Sequence, residues 1–156
     1  MRIPSELLLY MIFSSENILS TLIDTTESMW DITDKNVHRL YGVIERSCSS
    51  YFGNNIYSSL DDKVAAIMYI IAKNHDFENG NKRTAIVAAL TVLILNNYFL
   101  NIEPEELYSL VIGIVGSEPS DKQCVISEIS SIIQNNKSPI SQPFNDRLLS
   151  NISVEI

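Results

Sequence analysis

The residues best suited to chemistry lie together in the segment 75–84, which reads HDFENGNKRT. An imidazole, His75, stands five positions before Gly80, and two cations, Lys82 and Arg83, follow the glycine closely. Histidine exchanges a proton near neutral pH, and glycine allows backbone N–H groups to approach a ligand closely. The segment therefore predicts a site in which a base adjoins an anion-binding loop.

The same segment runs into an apolar stretch, residues 84–100, which is almost free of charge and is typical of a buried helix. A helix N-terminus carries unpaired N–H groups and a partial positive charge, so Lys82 and Arg83 are disfavoured there unless an anion balances them. We therefore expect a phosphate at this helix start. Taken singly, a histidine and a Gly-Asn turn are common in ordinary turns, and only their combination at fixed spacing favours a binding site.

Composition and charge restrict the class of protein. The chain has 156 residues, of which 46% are hydrophobic, and this is enough for one domain with a packed core. Its formal net charge of -8 argues against nucleic-acid binding, which needs a basic face. Lys73, Lys82 and Arg83 nevertheless flank the histidine segment, and local positive charge in an acidic protein favours a small anionic ligand.

The cysteines and the apolar runs exclude several other classes. Cys48 and Cys124 have no metal-binding spacing and are too few for a disulfide scaffold, so we expect buried free thiols. The run 7–13 lacks the flanks of a signal peptide, and the run 85–95 is well short of the roughly 20 residues that cross a bilayer. We expect a cytoplasmic protein that does not bind membranes.

Helical periodicity dominates the chain and strand alternation is hard to find, which predicts an all-α fold. The predicted helices are 5–23, capped by Ser5; 34–48, capped by Asp34; 59–74, with a capping box of Ser59 and Asp62; 81–97; 104–115, opened by Pro104; and 120–135, with a capping box of Ser120 and Gln123. The helix 81–97 is apolar all round and is expected to be the central element.

Two further segments complete the predicted organisation. The polar, aromatic-bearing stretch 49–58 contains a Gly-Asn-Asn turn signal between two short extended pieces, which predicts a hairpin-like flap. Beyond Lys137 the chain is rich in Ser, Asn and Pro. We therefore divide the chain into a single domain, 1–137, and a polar C-terminal tail, 138–156.

The pattern His-x-Phe-x-x-Gly-Asn-Lys-Arg-Thr in the segment 75–84 resembles the signature of the Fic/Doc family, and specifically of its Doc (death-on-curing) branch. The layout of an all-helical domain, with the motif loop between two central helices, resembles this family over roughly residues 1–137. General Fic proteins have a glycine after the motif asparagine and a second arginine after the first. Here Lys82 and Ile86 stand at those positions, which is the Doc-like pattern.

The resemblance implies a toxin of a toxin–antitoxin system that is a protein kinase. Such a protein would use ATP and Mg²⁺ to phosphorylate a Ser/Thr hydroxyl of a translation component such as elongation factor Tu, and an antitoxin protein would inhibit it in trans. Two alternatives stay open. One is a transferase of AMP or another nucleotide to a protein hydroxyl, and the other is a catalytically silent module of this fold that binds a nucleotide or a partner.

The resemblance also assigns roles to the motif residues. His75 is the base for the hydroxyl proton. Gly80, Asn81 and Lys82 are expected to present backbone N–H groups to phosphate, and Arg83 offers a bidentate fork for its oxygens. The Lys82 side chain fills part of the cradle where general Fic proteins have glycine, which favours γ-phosphate transfer over AMP transfer.

The metal-binding position departs from the family's pattern. The family usually has Asp or Glu two residues after the motif phenylalanine, Phe77, where it binds Mg²⁺; here Asn79 stands there, and Glu78 lies one residue earlier. An amide oxygen can ligate a hard cation but brings no charge. Four interpretations stay open. In the first, the protein binds Mg²⁺ more weakly, and in the second, the nucleotide phosphates carry most of the metal binding. In the third, Glu78 ligates the metal from a shifted position, and in the fourth, the activity is lost. Phe77 itself is expected to anchor the loop by packing.

The flap is where relatives dock a target segment by strand addition. Tyr51, Phe52, Ile56 and Tyr57 suit such an edge, although an ordinary loop with aromatic residues packed into the core is an equal alternative. The inhibitory Ser/Thr-x-x-x-Glu-Gly/Asn motif of many Fic proteins is absent from the sequence. Inhibition is therefore expected from a partner chain.

Overall fold

Helices dominate the structure, a computed structural model that describes residues 33–51, 54–74 and 77–140. Its helices are α1 (Asp34–Cys48), α2 (Leu60–Asn74), α3 (Asn81–Leu95), α4 (Pro104–Gly116) and α5 (Lys122–Asn136), and its strands are β1 (Ser50–Tyr51), β2 (Asn54–Asn55), β3 (Tyr98–Leu100) and β4 (Lys137–Pro139). The predicted all-α fold with a short hairpin is confirmed. The helix predicted over residues 5–23 lies outside the described residues.

Helix α2 is the central element. Ten of its 15 residues are buried, and it packs against α1, α3, α4 and α5. The central position expected for α3 is wrong, since α3 packs mainly against α2, α4 and β3. Charged residues at both ends of α2 made it look less buried in the sequence. In the structure, Asp61, Asp62 and Lys73 are each bonded to another part of the chain. Buried alanines on both helices leave room for close packing.

Two helix starts agree with the sequence analysis. The Ser59 hydroxyl accepts a hydrogen bond from the Asp62 N–H at 3.0 Å, and Asp62 Oδ2 accepts one from the Ser59 N–H at 3.1 Å. This reciprocal pair is the predicted capping box of α2. Pro104 is the first residue of α4, where its missing N–H leaves no hydrogen bond unmade.

Two other helix starts differ from the prediction. The N-cap of α1 is Thr33, whose hydroxyl accepts from a backbone N–H of the first turn at 3.3 Å, and Asp34 is the first helical residue. Asp121 precedes α5 and makes no side-chain cap hydrogen bond, so the predicted capping box of Ser120 and Gln123 is wrong. A 3-10 turn, Pro119–Asp121, places Ser120 before the helix, where its hydroxyl lies 3.2 Å from Asp121 Oδ1.

The predicted hairpin lies between α1 and α2. Strands β1 and β2 are antiparallel, with Ser50 opposite Asn55 and Tyr51 opposite Asn54. The Ile56 N–H extends the pairing by donating to the Ser49 carbonyl oxygen at 3.2 Å. The hairpin-like flap is therefore confirmed in its backbone.

A second antiparallel pair, β3 with β4, was not predicted. Leu100 lies opposite Lys137 and Tyr98 opposite Pro139. Three-residue strands are too short for an alternating pattern to show in the sequence. Helix α3 accordingly ends at Leu95, before the predicted residue 97, and Asn97 turns the chain into β3 with a φ of 63°. The first residues of the predicted tail belong to β4, and residues 141–156 lie outside the described residues.

The cysteines differ in exposure. Cys48 is half-buried at the end of α1, whereas Cys124 is exposed on α5, and both are free thiols. The expected burial is wrong for Cys124, because the core face of α5 is formed by Ile126, Ile129 and Ile133. Of the helices in the described ranges, none is long and apolar enough to cross a membrane.

Candidate active site

Gly80 forms the turn through which the motif segment enters α3. Its backbone has φ 76° and ψ 9°, the left-handed conformation, and it is the N-cap residue of the helix. A residue with a Cβ is strained in this conformation, whereas glycine adopts it freely. The backbone of the turn therefore accounts for the motif glycine.

A reciprocal pair of hydrogen bonds closes this turn. The Phe77 N–H donates to Asn81 Oδ1 at 3.1 Å, and Asn81 Nδ2 donates to the Phe77 carbonyl oxygen at 2.7 Å. The Phe77 side chain is 2% exposed and belongs to the hydrophobic core. The side-chain carboxamide of Asn81 thus stabilises the loop. Only the backbone N–H of Asn81 is then left to bind a phosphate.

Thr84 fastens the same turn from inside α3. Its N–H donates to the Gly80 carbonyl oxygen at 2.8 Å, and its hydroxyl donates to the same oxygen at 3.0 Å. The N–H groups of Asn81 and Lys82 precede this first helical hydrogen bond, and helix geometry gives them no acceptor within the helix. They are therefore suited to bind an anion at the helix start.

The charged and polar side chains of the motif differ in exposure. Lys82 and Arg83 are half-buried in the first turn of α3, whereas Glu78 and Asn79 are exposed in the loop before it. Two cations at the positive end of a helix dipole favour an anionic ligand between them and the N–H groups. His75 lies outside the described residues, so its role as the base stays a prediction.

The oxygen atoms of the loop are compatible with a magnesium–nucleotide ligand. The exposed Glu78 carboxylate and Asn79 amide are hard oxygen donors next to the helix start. Within the described ranges, no group of three or more His, Cys, Asp or Glu side chains is arranged to hold a metal ion. Mg²⁺ is often held by one or two protein oxygens together with phosphates and water. The loop fits that kind of binding better than a cage made of protein side chains.

The flap residues divide between the core and the surface. Ile56 is 55% exposed, but Tyr57 is 8% exposed and packs in the core, where burial raises the pKa of its hydroxyl. The burial of Tyr57 fits the alternative of an aromatic residue packed into the core, although Tyr57 also lines a cavity beside the flap, and its role in docking stays a prediction. The Tyr51 side chain and all of Phe52 lie outside the described residues.

A cavity of about 540 Å³ lies beside the flap. Its lining includes Ile56 of the flap, Arg46 from α1, Asn74 from α2 and Lys122 from α5. Neither Arg46 nor Lys122 was predicted at a site, because both are far from the motif along the chain. Asn74 is the last described residue before His75, so the cavity reaches the end of the helix that leads into the motif. The motif cations themselves do not line it, and the phosphate site expected at the start of α3 stays a prediction.

Lys73 binds the end of α4 and not, as expected, an anionic ligand beside the motif. Its ammonium donates to the carbonyl oxygens of Val115 at 2.9 Å, Ile114 at 3.3 Å and Ser117. These groups lie at the C-terminal end of α4, where the helix dipole favours a cation. The expectation that Lys73 adds positive charge for an anionic ligand is therefore wrong, which leaves Lys82 and Arg83 as the motif cations expected to bind one.

The sequence model of the Fic/DOC family matches residues 16–93, which is half of the chain. The match includes the motif, the flap, the helix α2 before the motif and all but the last two residues of the helix α3 after it. The chain therefore belongs to the Fic/DOC family, as its motif indicated.

A curated relative supports the Doc side of the family. Toxin Doc of Mycolicibacterium smegmatis (strain ATCC 700084 / mc(2)155) is 40% identical over 62 residues, an alignment that covers 37% of this chain and 48% of the relative. The chain thus spans about half the length of the curated relative that it matches. No solved structure matches the chain significantly.

Proposed function

We propose that the chain is a Doc-like toxin that acts as a protein kinase. It would transfer the γ-phosphate of ATP to a Ser or Thr hydroxyl of a translation component such as elongation factor Tu, and a protein antitoxin would inhibit it in trans. A translation component is found in the cytoplasm, so the proposal includes a cytoplasmic location. Family membership and the similarity to Toxin Doc support it.

The observation that carries the proposal is the construction of the start of α3. The left-handed Gly80 and the hydrogen-bonded pair of Asn81 and Phe77 hold the turn, and Lys82 and Arg83 are half-buried at the helix N-terminus. A rigid turn that presents N–H groups and two cations is suited to bind phosphate without reorganisation. Phosphoryl transfer is accelerated mainly by such positioning and charge balance.

In the proposed reaction, the bond between the γ-phosphorus and the bridging oxygen breaks and a bond to the target oxygen forms. The hydroxyl proton passes to the imidazole of His75, and ADP leaves. Lys82 and Arg83 balance the charge on the phosphate oxygens. Glu78 and Asn79 would hold Mg²⁺, which supplies neutralising charge to the phosphates.

Lys82 would decide between phosphate and nucleotide transfer. Its half-buried side chain occupies the first turn of α3, where a glycine would leave room for the nucleotide to lie in the opposite orientation. We therefore expect Lys82→Gly to lower γ-phosphate transfer by at least tenfold. Lys35→Gly, at an exposed lysine of α1, is the matched control and is expected to keep the activity. An unchanged γ-phosphate transfer in Lys82→Gly would remove this role.

The experiment that tests the function uses ATP labelled on either the γ- or the α-phosphate. Each is incubated with the protein and Mg²⁺, in a bacterial lysate and with purified elongation factor Tu. His75→Ala is the control, because removal of a general base is expected to cost about 10²- to 10⁴-fold in rate. We expect label from the γ-position alone, lost in His75→Ala.

The other outcomes separate the alternatives. Label from the α-position would establish nucleotide transfer to a protein hydroxyl and contradict the kinase. The absence of His75-dependent label from both positions would favour a silent module that binds a nucleotide or a partner. Expression in a bacterial host is an independent test, because a toxin is expected to arrest growth and His75→Ala to relieve the arrest.

A further inference from the structure

The ammonium group of Lys73 joins two segments that are distant in sequence. Lys73 lies in the last turn of α2, and its three acceptors are 41, 42 and 44 residues further along the chain. An ammonium has three N–H donors, so these carbonyl groups account for its full hydrogen-bonding capacity. The contact therefore fixes the end of α2 to the junction between α4 and α5.

The end of α4 is capped partly from within its own sequence. The Ile114 carbonyl oxygen accepts from the Ser117 N–H at 3.2 Å and from the Ser117 hydroxyl at 2.7 Å. The Val115 and Ser117 carbonyl oxygens accept from Lys73. Besides binding these carbonyl groups, Lys73 connects the end of α4 to α2.

The two joined segments both line the cavity beside the flap. Tyr69 and Asn74 line it from the last two turns of α2, and Pro119 and Lys122 line it from the segment that follows α4. Lys122 Nζ also lies 6.0 Å from the centre of the Tyr69 ring, a second and weaker contact between the same two walls. The shape of the cavity therefore depends on how these walls are held relative to each other.

We propose that Lys73 is a positioning residue that sets the distance between these two walls of the cavity and fixes the end of α2 from which the motif segment leaves. Because its three donors bind carbonyl groups of the protein, the proposed role includes no contact with nucleotide or target. Its effect on the reaction rests on the proposed function, but its effect on the cavity walls does not. Small misplacements of reacting groups can lower rates by about 10²-fold, which gives a contact of this kind a measurable effect.

The test compares Lys73→Met with Lys73→Arg, which keeps donors for the carbonyl groups. Lys137→Met is the matched control, because Lys137 is also a half-buried lysine and holds the opposite end of α2 through Asp61. Circular dichroism and urea unfolding first establish that each variant folds. If Lys73→Met does not fold, Lys73→Gln, which keeps a shorter amide donor, replaces it.

Amide hydrogen exchange is then measured on the folded variants at residues 117, 118 and 120–122, since Pro119 has no amide proton. We expect Lys73→Met to accelerate exchange there by about tenfold. Lys73→Arg should restore the exchange of the wild type, and Lys137→Met should leave it unchanged even if it lowers stability more.

The transfer assay gives the activity arm. In Lys73→Met we expect a 10- to 100-fold fall in the rate of His75-dependent labelling. A folded Lys73→Met protein with unchanged exchange would overturn the positioning role, whatever its activity. An equal effect of Lys137→Met would overturn it as well. If the wild-type protein transfers no label but exchange responds as expected, the proposed function fails and the positioning role stands.

Discussion

The two ends of helix α2 are held in different ways. At the N-terminal end, Asp61 binds Lys137 through both carboxylate oxygens at 2.6 Å. Its neighbour Asp62 accepts hydrogen bonds from the Ser130 hydroxyl at 2.7 Å and from the Ser59 N–H at 3.1 Å. The polar groups there satisfy one another within the protein.

The C-terminal end of α2 is held by one residue and leaves the next one exposed. Lys73 is bonded to the end of α4, whereas Asn74 is exposed and lines the cavity. The chain then enters the motif, which reaches the turn at Gly80, where we propose that phosphate binds. Under this proposal, one end of the helix stabilises the fold and the other adjoins the site. Variants at the two ends should therefore affect stability and activity separately.

The largest effect is expected at the stabilising end. Asp61→Ala leaves the half-buried Lys137 ammonium without its carboxylate partner, and Asp61 is itself only 6% exposed. Breaking such a pair from one side costs about 3–5 kcal/mol. Urea unfolding should show this loss, while His75-dependent transfer by the folded fraction stays unchanged. The double variant Asp61→Ala, Lys137→Met is the control and should recover part of the loss. A loss in Asp61→Ala of less than about 1 kcal/mol would contradict this assignment.

A smaller effect on stability, but a larger one on activity, is expected at the motif turn. Asn81→Ala removes both hydrogen bonds to the Phe77 backbone and should cost about 2 kcal/mol in the free energy of unfolding. Exchange of the Phe77 amide should accelerate, and transfer should fall. Asn101→Ala is the matched control, since the exposed Asn101 amide also bonds a backbone carbonyl, that of Asn136, far from the motif. Equal transfer rates in the two variants would count against a role for the turn.

The left-handed conformation of Gly80 predicts that a glycine-to-alanine substitution there lowers the free energy of unfolding, whereas the same substitution in a helix of this chain raises it. Gly80→Ala must adopt a φ of 76°, which costs about 1 kcal/mol. Gly42→Ala, in the interior of α1, meets no atom within 4 Å and should stabilise the protein by about 0.5–1 kcal/mol. Chemical unfolding of the two variants measures both. A stabilising Gly80→Ala would mean that the turn adopts another backbone conformation in solution.

The smallest effect concerns the pH dependence of the stabilising end. Burial would raise the pKa of Asp62, but hydrogen bonds from Ser130, Ser59 and Ser58 outweigh it and lower the pKa below its ordinary value of 3.8. A lowered folded-state pKa contributes stability above that ordinary value, which is lost as the pH falls through the folded pKa. Ser130→Ala should therefore cost about 0.5–1 kcal/mol at pH 7.

The same variant should differ less from the wild type once the pH has fallen through the lowered folded-state pKa of Asp62, because the carboxylate is then protonated in the folded and unfolded states alike. Urea unfolding at several pH values measures this. Ser131→Ala is the control, because its exposed hydroxyl bonds only within α5 in the described structure. A cost of Ser130→Ala that is independent of pH would show that the bond to Asp62 is not responsible.

The local part of the fold could be read from the sequence. The capping box of Ser59 and Asp62 and the start of α4 at Pro104 depend on residues within one turn of each other, and both were predicted. The pairing of β3 with β4 depends on residues more than 30 positions apart, and its strands are too short to carry a pattern. It could not be predicted for that reason.

In the candidate site, too, the local contacts could be predicted from the sequence and the long-range contacts could not. The motif turn could be located from the spacing of its residues, because Gly80 and Asn81 act on neighbours in the chain. The partners of Lys73 could not be predicted from the sequence. A lysine in the last turn of a helix has many possible acceptors, and the sequence does not indicate which of them it binds. The cavity cations Arg46 and Lys122 come together only through the packing of α1 and α5.

The Asp61–Lys137 pair has a consequence for the synthesis of the protein. Its two residues are 76 positions apart, so a nascent chain that has not yet reached residue 137 would have to bury the Asp61 carboxylate without a counter-charge. Helix α2 is then held back from its final place until almost the whole described region has been translated. We expect ribosome-bound chains that expose residues up to 136 to be digested by a protease faster than chains that extend to 140. Early protection of the shorter chains would contradict this order of events.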